Sequence, residues 1–201
     1  YTPGVNMALV CAIELYAGPG DNVIIQSPVY YPYYDYVQKT GRSVALNPLV
    51  NHDGHYEVNF TQLEELARDP KTKIMLLCSP HNPVGRVWTR EELQRIGRIC
   101  IDNGVMVAVD EIHSDLVYAP NRHIPFASIS REFAEHCIVC TSPSKTFNLA
   151  GLLVSDIIIP SDRIRAAFQR KMDPFYLWPG NFGSAAQIAA YTQGEPWLEE
   201  L

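Results

Sequence analysis

Val105 to Val109 is an unbroken apolar run, Val-Met-Val-Ala-Val, stopped by the acidic pair Asp110-Glu111. A strand with one wet face alternates apolar and polar residues, so a short continuous run like this one has both faces covered. Strands of that kind sit in parallel sheets packed between layers of helices. Two further runs, Lys73 to Cys78 and Cys137 to Thr141, have the same character, and each gives way to small or polar residues.

The order of elements agrees with that reading. Asn6 to Tyr16 predicts a helix ended by Gly18-Pro19-Gly20-Asp21, and Val23 to Ile25 a short strand. Ser43 to Leu46 predicts a second strand, followed by a polar loop and a short helix from Thr61, with Thr61 and Glu64 as a capping box. Pro80 and Pro83 keep the segment from Pro80 to Val87 out of any helix. Thr89 with Glu92 is another capping box, opening a helix whose apolar face is Leu93, Ile96, Gly97 and Cys100 and which Gly104 ends. Ser155 to Ile159 is a last apolar run, and helices from Ser161 and from Asn181 follow. Alternating strands and helices predict an α/β fold, a three-layer sandwich around a mostly parallel sheet.

Composition narrows the partners. A net charge of -6 argues against nucleic acid, whose phosphates call for a basic stripe. No apolar run is long enough to span a bilayer, and no signal peptide opens the sequence. The five cysteines, Cys11, Cys78, Cys100, Cys137 and Cys140, are scattered and mostly lie inside apolar runs. That pattern predicts reduced core thiols in a cytoplasmic protein, with neither a disulfide framework nor a metal site. The sequence starts at Tyr1 and stops within the helix-like Pro196 to Leu201, so we expect it to be part of a longer protein.

Chemistry-bearing residues follow the apolar runs. Cys78 leads into Ser79-Pro80-His81-Asn82-Pro83, Val109 into Asp110, and Thr141 towards Lys145. Open α/β sheets bind ligands at the carboxyl ends of their strands. Lys145 lies in SPSKTFNLAGL, Ser142 to Leu152, where it is expected as an amine held in a pocket with its pKa lowered by burial, ready to form a Schiff base. An amine, a carboxylate and an amide converging there are what pyridoxal 5'-phosphate requires: Lys145 for attachment, Asp110 for the pyridine nitrogen, Asn82 for the ring oxygen. Each also has a plainer reading. Asp110 can cap the next turn, Asn82 can form an Asx-turn before Pro83, and Lys145 can be a surface charge.

The segments PHNPVGRVW (Pro80 to Trp88), VDEIHSDLVY (Val109 to Tyr118) and SPSKTFNLAGL resemble those of fold-type I pyridoxal phosphate enzymes, the class I/II aminotransferase superfamily. Within it they are most similar to the MalY/PatB branch of cystathionine β-lyase-like carbon–sulfur lyases. The resemblance runs from Thr2-Pro3-Gly4-Val5 to Trp197-Leu198. It implies that residues 1–201 are part of the large, cofactor-binding domain, with an N-terminal segment and a small C-terminal domain lying elsewhere. It further implies Lys145 as the catalytic residue, Tyr30 in SPVYYP as the aromatic stacked on the ring, and Gly4, Val5 and Asn6 as the phosphate-holding segment. A helix start with a glycine supports the last point, because its N–H groups can reach an anion. Ser142 and Ser144 are candidate hydroxyl donors.

Two departures from the wider aminotransferase pattern fit the lyase branch. His113 replaces a tyrosine three residues after Asp110, and Leu153 replaces an arginine eight residues after Lys145. His113 is read either as adjusting the ring oxygen or as packing beneath it. The implied function is a carbon–sulfur β-lyase acting on a small amino-acid substrate such as cystathionine, in a homodimer. An aminotransferase on the same scaffold, and a regulatory protein that binds a partner, are the alternatives. The substrate-carboxylate arginine is expected outside this sequence, since Arg163, Arg165 and Arg170 read as surface charges on a helix.

Overall fold

In the computed structural model, which describes residues 1–201, a six-stranded sheet runs through the molecule in the order β2-β1-β5-β6-β7-β8. Its strands are β1 (Asn22–Ile25), β2 (Ser43–Leu46), β5 (Thr72–Cys78), β6 (Met106–Asp110), β7 (Cys137–Thr141) and β8 (Asp156–Ile158). All neighbours pair parallel except β7 and β8, which are antiparallel. The three continuous apolar runs that form β5, β6 and β7 are therefore buried strands, as expected, and every residue of β6 is buried, whereas the last apolar run forms the edge strand β8 with Ile158 exposed.

Side chains alternate across this sheet and divide the core in two. On one face Val23, Ile25, Ile74, Leu76, Met106 and Ala108 pack against α1 (Val5–Tyr16), α2 (Pro32–Lys39) and α6 (Asp162–Met172). On the other, Ile24, Met75, Leu77, Val107 and Val109 meet α3 (Phe60–Arg68) and α4 (Arg90–Asp102). Helices on both faces of a mostly parallel sheet make the three-layer sandwich predicted from the sequence. The same core also takes in buried Phe133 of α5 (Arg131–Ala134), which lies so close to α4 that a Cβ on Gly97 would stand 2.0 Å from its ring. The chain closes with α7 (Asn181–Gln193) and α8 (Glu195–Glu200), and no helix is long and apolar enough to cross a membrane.

Local chemistry explains the boundaries, with some corrections. The capping box on α4 is present in full, Thr89 accepting from Glu92 N–H and Glu92 from Thr89 N–H. The one expected at Thr61 and Glu64 is not: α3 begins a residue earlier, and Asn59 caps it by accepting from Gln62 N–H at 3.1 Å. Asparagine is a strong N-cap, and here it outcompetes Thr61 for the free first-turn donors. The expected polar loop after β2 contains an antiparallel hairpin, β3 (Val50–His52) and β4 (His55–Glu57), turning at Asp53-Gly54 with positive φ at both residues. Residues 32–39, unassigned from the sequence, form α2, anchored by buried Tyr33 and Val37.

Candidate active site

The carboxyl ends of β5, β6 and β7 open on a cavity of about 240 Å³, at the small end for ligand sites. The sheet ladder sets Cys78 directly opposite Asp110, and Asp110 opposite Cys140. Asp110 thereby points to the face covered by α1 and α2. Its neighbour Glu111 has a separate role, where its Oε1 accepts from Phe126 N–H at 2.8 Å and its Oε2 lies 3.1 Å from His123 Nε2. Of the acidic pair that ends the run, only Asp110 lines the cavity.

Asp110 is buried, with each carboxylate oxygen holding one donor: Ile112 N–H to Oδ1 at 3.2 Å and the Tyr33 hydroxyl to Oδ2 at 3.0 Å. The turn-capping role weighed from the sequence is thus present, on one oxygen. Burial pushes the carboxyl up to about 6, against the opposing pull of these two hydrogen bonds and of Lys145.

Asn82 sits in a loop built to stay put. His81 N–H donates to Arg86 O and Gly85 N–H to His81 O, both at 2.8 Å, with Gly85 at φ +72° where a side chain would be strained. Beneath the loop, Trp88 Nε1 donates to Cys78 O at 2.9 Å, and His81 Nε2 lies 2.8 Å from Pro28 O. Asn82 N–H reaches Cys78 Sγ at 3.4 Å, while the side-chain amide lines the cavity with no partner in the chain. The Asx-turn alternative is not what the loop uses.

Lys145 lies in the turn after β7 and is the one lysine lining the cavity. It is exposed, which corrects the expectation of a buried amine: the turn carries it past the strand end to the cavity mouth, where nothing packs over it. Ser144 lines the cavity beside it. Ser142 does not. It is buried, accepts from Ser144 N–H at 3.1 Å and stands 2.7 Å from Val154 O, so it braces the turn.

The opposite wall is Pro3, Gly4, Val5 and Asn6. Gly4 is the N-cap of α1 at φ +95°, with no side-chain cap and no acidic residue in the first turn, leaving first-turn N–H groups without partners. Leu153, with its φ of +48°, lines the same wall, its Cδ2 4.0 Å from a Cβ placed on Gly4. Tyr30 lines the cavity, Tyr31 is exposed, and Tyr33 lies behind, fully buried. His113 also lines it, its pKa lowered by burial and then by Lys145.

The predicted set therefore comes together in one cavity, Ser142 excepted. Sequence reasoning missed Cys78, Ile112, Ala150 and Val154 as lining residues. Cys78 was the detectable one, since it ends the same run that leads to Asn82. A larger cavity of about 890 Å³ lies between β8, α6 and α7, lined mostly by apolar side chains such as Phe168, Met172 and Trp178, and Arg165 is the only arginine in it.

Comparison with known proteins gives the family. Residues 1–200 match the family described as aminotransferase class I and II. The chain belongs to this family. It is 46% identical over 202 residues to cystathionine beta-lyase PatB of Bacillus subtilis, covering all of this chain and 52% of that protein. It is 34% identical to protein MalY of Escherichia coli, covering all of this chain and 51% of that one. The crystal structure of cystalysin from Treponema denticola, which contains a pyridoxal 5'-phosphate cofactor, superposes with a TM-score of 0.96 at 40% identity, over 99% of this chain and 51% of cystalysin. The chain thus spans about half the length of the curated relatives it matches.

Proposed function

We propose that the protein to which residues 1–201 belong is a pyridoxal phosphate-dependent carbon–sulfur β-lyase, cleaving cystathionine or cysteine S-conjugates to a thiol, pyruvate and ammonia. The observation that carries the reading is the convergence of Lys145, Asp110 and Asn82 on one cavity at the carboxyl ends of adjacent parallel strands. The 46% identity to a cystathionine β-lyase supports the choice of reaction.

The residues fit the cofactor by their chemistry. A buried carboxylate suits a ring nitrogen, an amide without an internal partner suits a ring oxygen, and uncapped N–H groups with the Ser144 hydroxyl suit a phosphate. When bound, the cofactor supplies an electron sink conjugated to the substrate's α-carbon. Lys145 Nζ would be the attachment point, and its amine is the base placed to take the substrate's α-proton. Asp110 would keep a proton on the ring nitrogen, Asn82 would donate to the ring oxygen, and Tyr30 would supply a flat face for stacking. Gly4, Val5, Asn6 and Ser144 would hold the phosphate, with Ser142 bracing Ser144. His113 is less basic than usual, because burial and then the neighbouring Lys145 disfavour its charged form.

No arginine lines the cavity, and Arg163, Arg165 and Arg170 are exposed on α6. We therefore assign the substrate carboxylate to an arginine in the remainder of the protein, in a small domain beyond the large-domain portion seen here. Exposed Tyr176, Trp178, Phe182 and Ile188 support a homodimer, and five unpaired, buried cysteines support a cytoplasmic setting. The test is to supply the full-length protein with cystathionine and follow pyruvate with and without a 2-oxo acid acceptor. Pyruvate and ammonia without acceptor are expected. Strict dependence on an acceptor would make the protein an aminotransferase instead.

A further inference from the structure

We propose that Tyr33 is the positioning residue for Asp110: its hydroxyl holds the carboxylate in its ionised form and in a fixed orientation, as the ring-nitrogen partner must be. The inference rests on the pyridoxal phosphate reading only in giving Asp110 that task.

Tyr33 touches no part of the cavity, yet it stands behind two residues that line it. Its hydroxyl donates to Asp110 Oδ2 at 3.0 Å, and its ring meets Tyr30 edge-on, with centroids 6.3 Å apart and planes at 81°. A second contact, to Tyr36 at 6.0 Å, fixes the ring from its own helix. The side chain is completely buried, so water cannot replace the donor if it is lost.

The arrangement matters because of what faces Asp110. From α2 come Tyr33 and Tyr36, from β5 Cys78, from β7 Cys140, from its own strand end Glu111, and from the turn after β7 Lys145. Across the cavity stand Tyr30 and His113; of all these groups Lys145 and His113 alone can bring positive charge, Lys145 is exposed at the cavity mouth, and burial makes His113 less basic than usual. Burial favours the neutral acid, and only hydrogen bonds to the anion oppose it from within the core. Ile112 N–H serves Oδ1 and Tyr33 serves Oδ2. The backbone donor is present for any residue at 112 except proline, so Tyr33 is the side chain through which the sequence sets the ionisation of Asp110. Burial and the Asp110 charge both raise the Tyr33 phenol well above its usual value, so it remains a donor over the whole working range.

The test uses the full-length protein carrying ¹³Cγ-labelled aspartate, stripped of cofactor, with the Asp110 signal assigned by its disappearance in Asp110→Asn. In Tyr33→Phe, which keeps the ring and its volume, the titration midpoint of Asp110 should rise by about one pH unit or more. Pyridoxal phosphate affinity should fall about tenfold, and that fall should vanish when the same change is made in an Asp110→Ala background. Should Tyr33→Phe fail to fold, 3-fluorotyrosine placed at position 33 is a stronger donor, and it should lower the midpoint. An unchanged midpoint in either variant, or an equal loss of affinity with and without Asp110, overturns the proposal and leaves Tyr33 as a core tyrosine. Because the midpoint is read without cofactor or substrate, it stands or falls separately from the lyase assay.

Discussion

Thr2 and Ser155 are joined across 153 positions of sequence by two backbone hydrogen bonds of 3.1 Å, one in each direction, and by hydroxyl oxygens 2.7 Å apart. Both residues are buried. The tie fixes the segment entering α1 against the chain leaving the Lys145 turn, so the wall carrying Gly4 is held in place relative to the wall carrying Ser144 and Lys145. Neither residue lines the cavity.

Ser155→Ala should therefore weaken phosphate holding without removing any group that touches the ligand. It leaves the Thr2 hydroxyl its bond to Gly4 O but removes its buried partner, a loss of about 1–3 kcal/mol. We expect the full-length variant to lose affinity for pyridoxal phosphate while its weaker affinity for pyridoxal, which lacks the phosphate, hardly changes. Equal losses for both ligands, measured by fluorescence titration, would mean that the tie supports the fold alone.

Asp110 makes stability depend on pH in a defined direction. Its folded pKa, about 6, lies above its ordinary value of 3.8, so between these values the folded chain keeps a proton that the unfolded chain has lost. The contribution is fully present below about pH 4 and is lost as pH rises through about 6, a change of up to about 3 kcal/mol. In the cofactor-free protein, Asp110→Asn should remove this fall, seen as the difference between the two proteins' urea midpoints across the window. Parallel profiles would show that Asp110 is not raised.

The start of α3 separates two side chains that the sequence alone did not rank. Asn59→Ala should cost about 1 kcal/mol, and Thr61→Ala close to nothing, in chemical unfolding. The reverse order would restore the cap at Thr61.

That cap is one of several places where pattern ran short. The strands β5, β6 and β7 could be read because residues buried on both faces leave an unbroken apolar signature, and the polar residues at or just past their ends supplied Asn82, Asp110 and Lys145 directly. The hairpin β3–β4 has no such signature: most of its residues are exposed, and only Asp53-Gly54, a turn dipeptide, marked it. Helix α2 was hidden because Pro32 and a crowd of tyrosines resemble a loop, although Pro is tolerated in a first turn. Without the helix its phase was unknown, so Tyr30 could be proposed for the cavity but Tyr33 could not be placed behind Asp110. The exposure of Lys145 depends on a turn conformation that no periodicity encodes.

Gly97 offers a check on the packing that supports the site. Gly97→Ala would place a methyl 2.0 Å from Phe133 Cε1, and neither α4 nor the ring can yield without disturbing the layer behind β6. Overpacking of this kind costs about 1–3 kcal/mol or more, so the thermal midpoint should drop by several degrees. An unchanged midpoint would show that Phe133 is free to move.

The most direct measurement of the central claim is reduction of the full-length, cofactor-loaded protein with borohydride, followed by peptide mapping. Lys145 is the only lysine lining the cavity with Asp110 and Asn82, so the cofactor-derived label should be found on the peptide containing Ser142 to Leu152, at Lys145, and Lys145→Ala should abolish it. A label on Lys71, Lys73 or Lys171, or no stable label at all, would contradict the account.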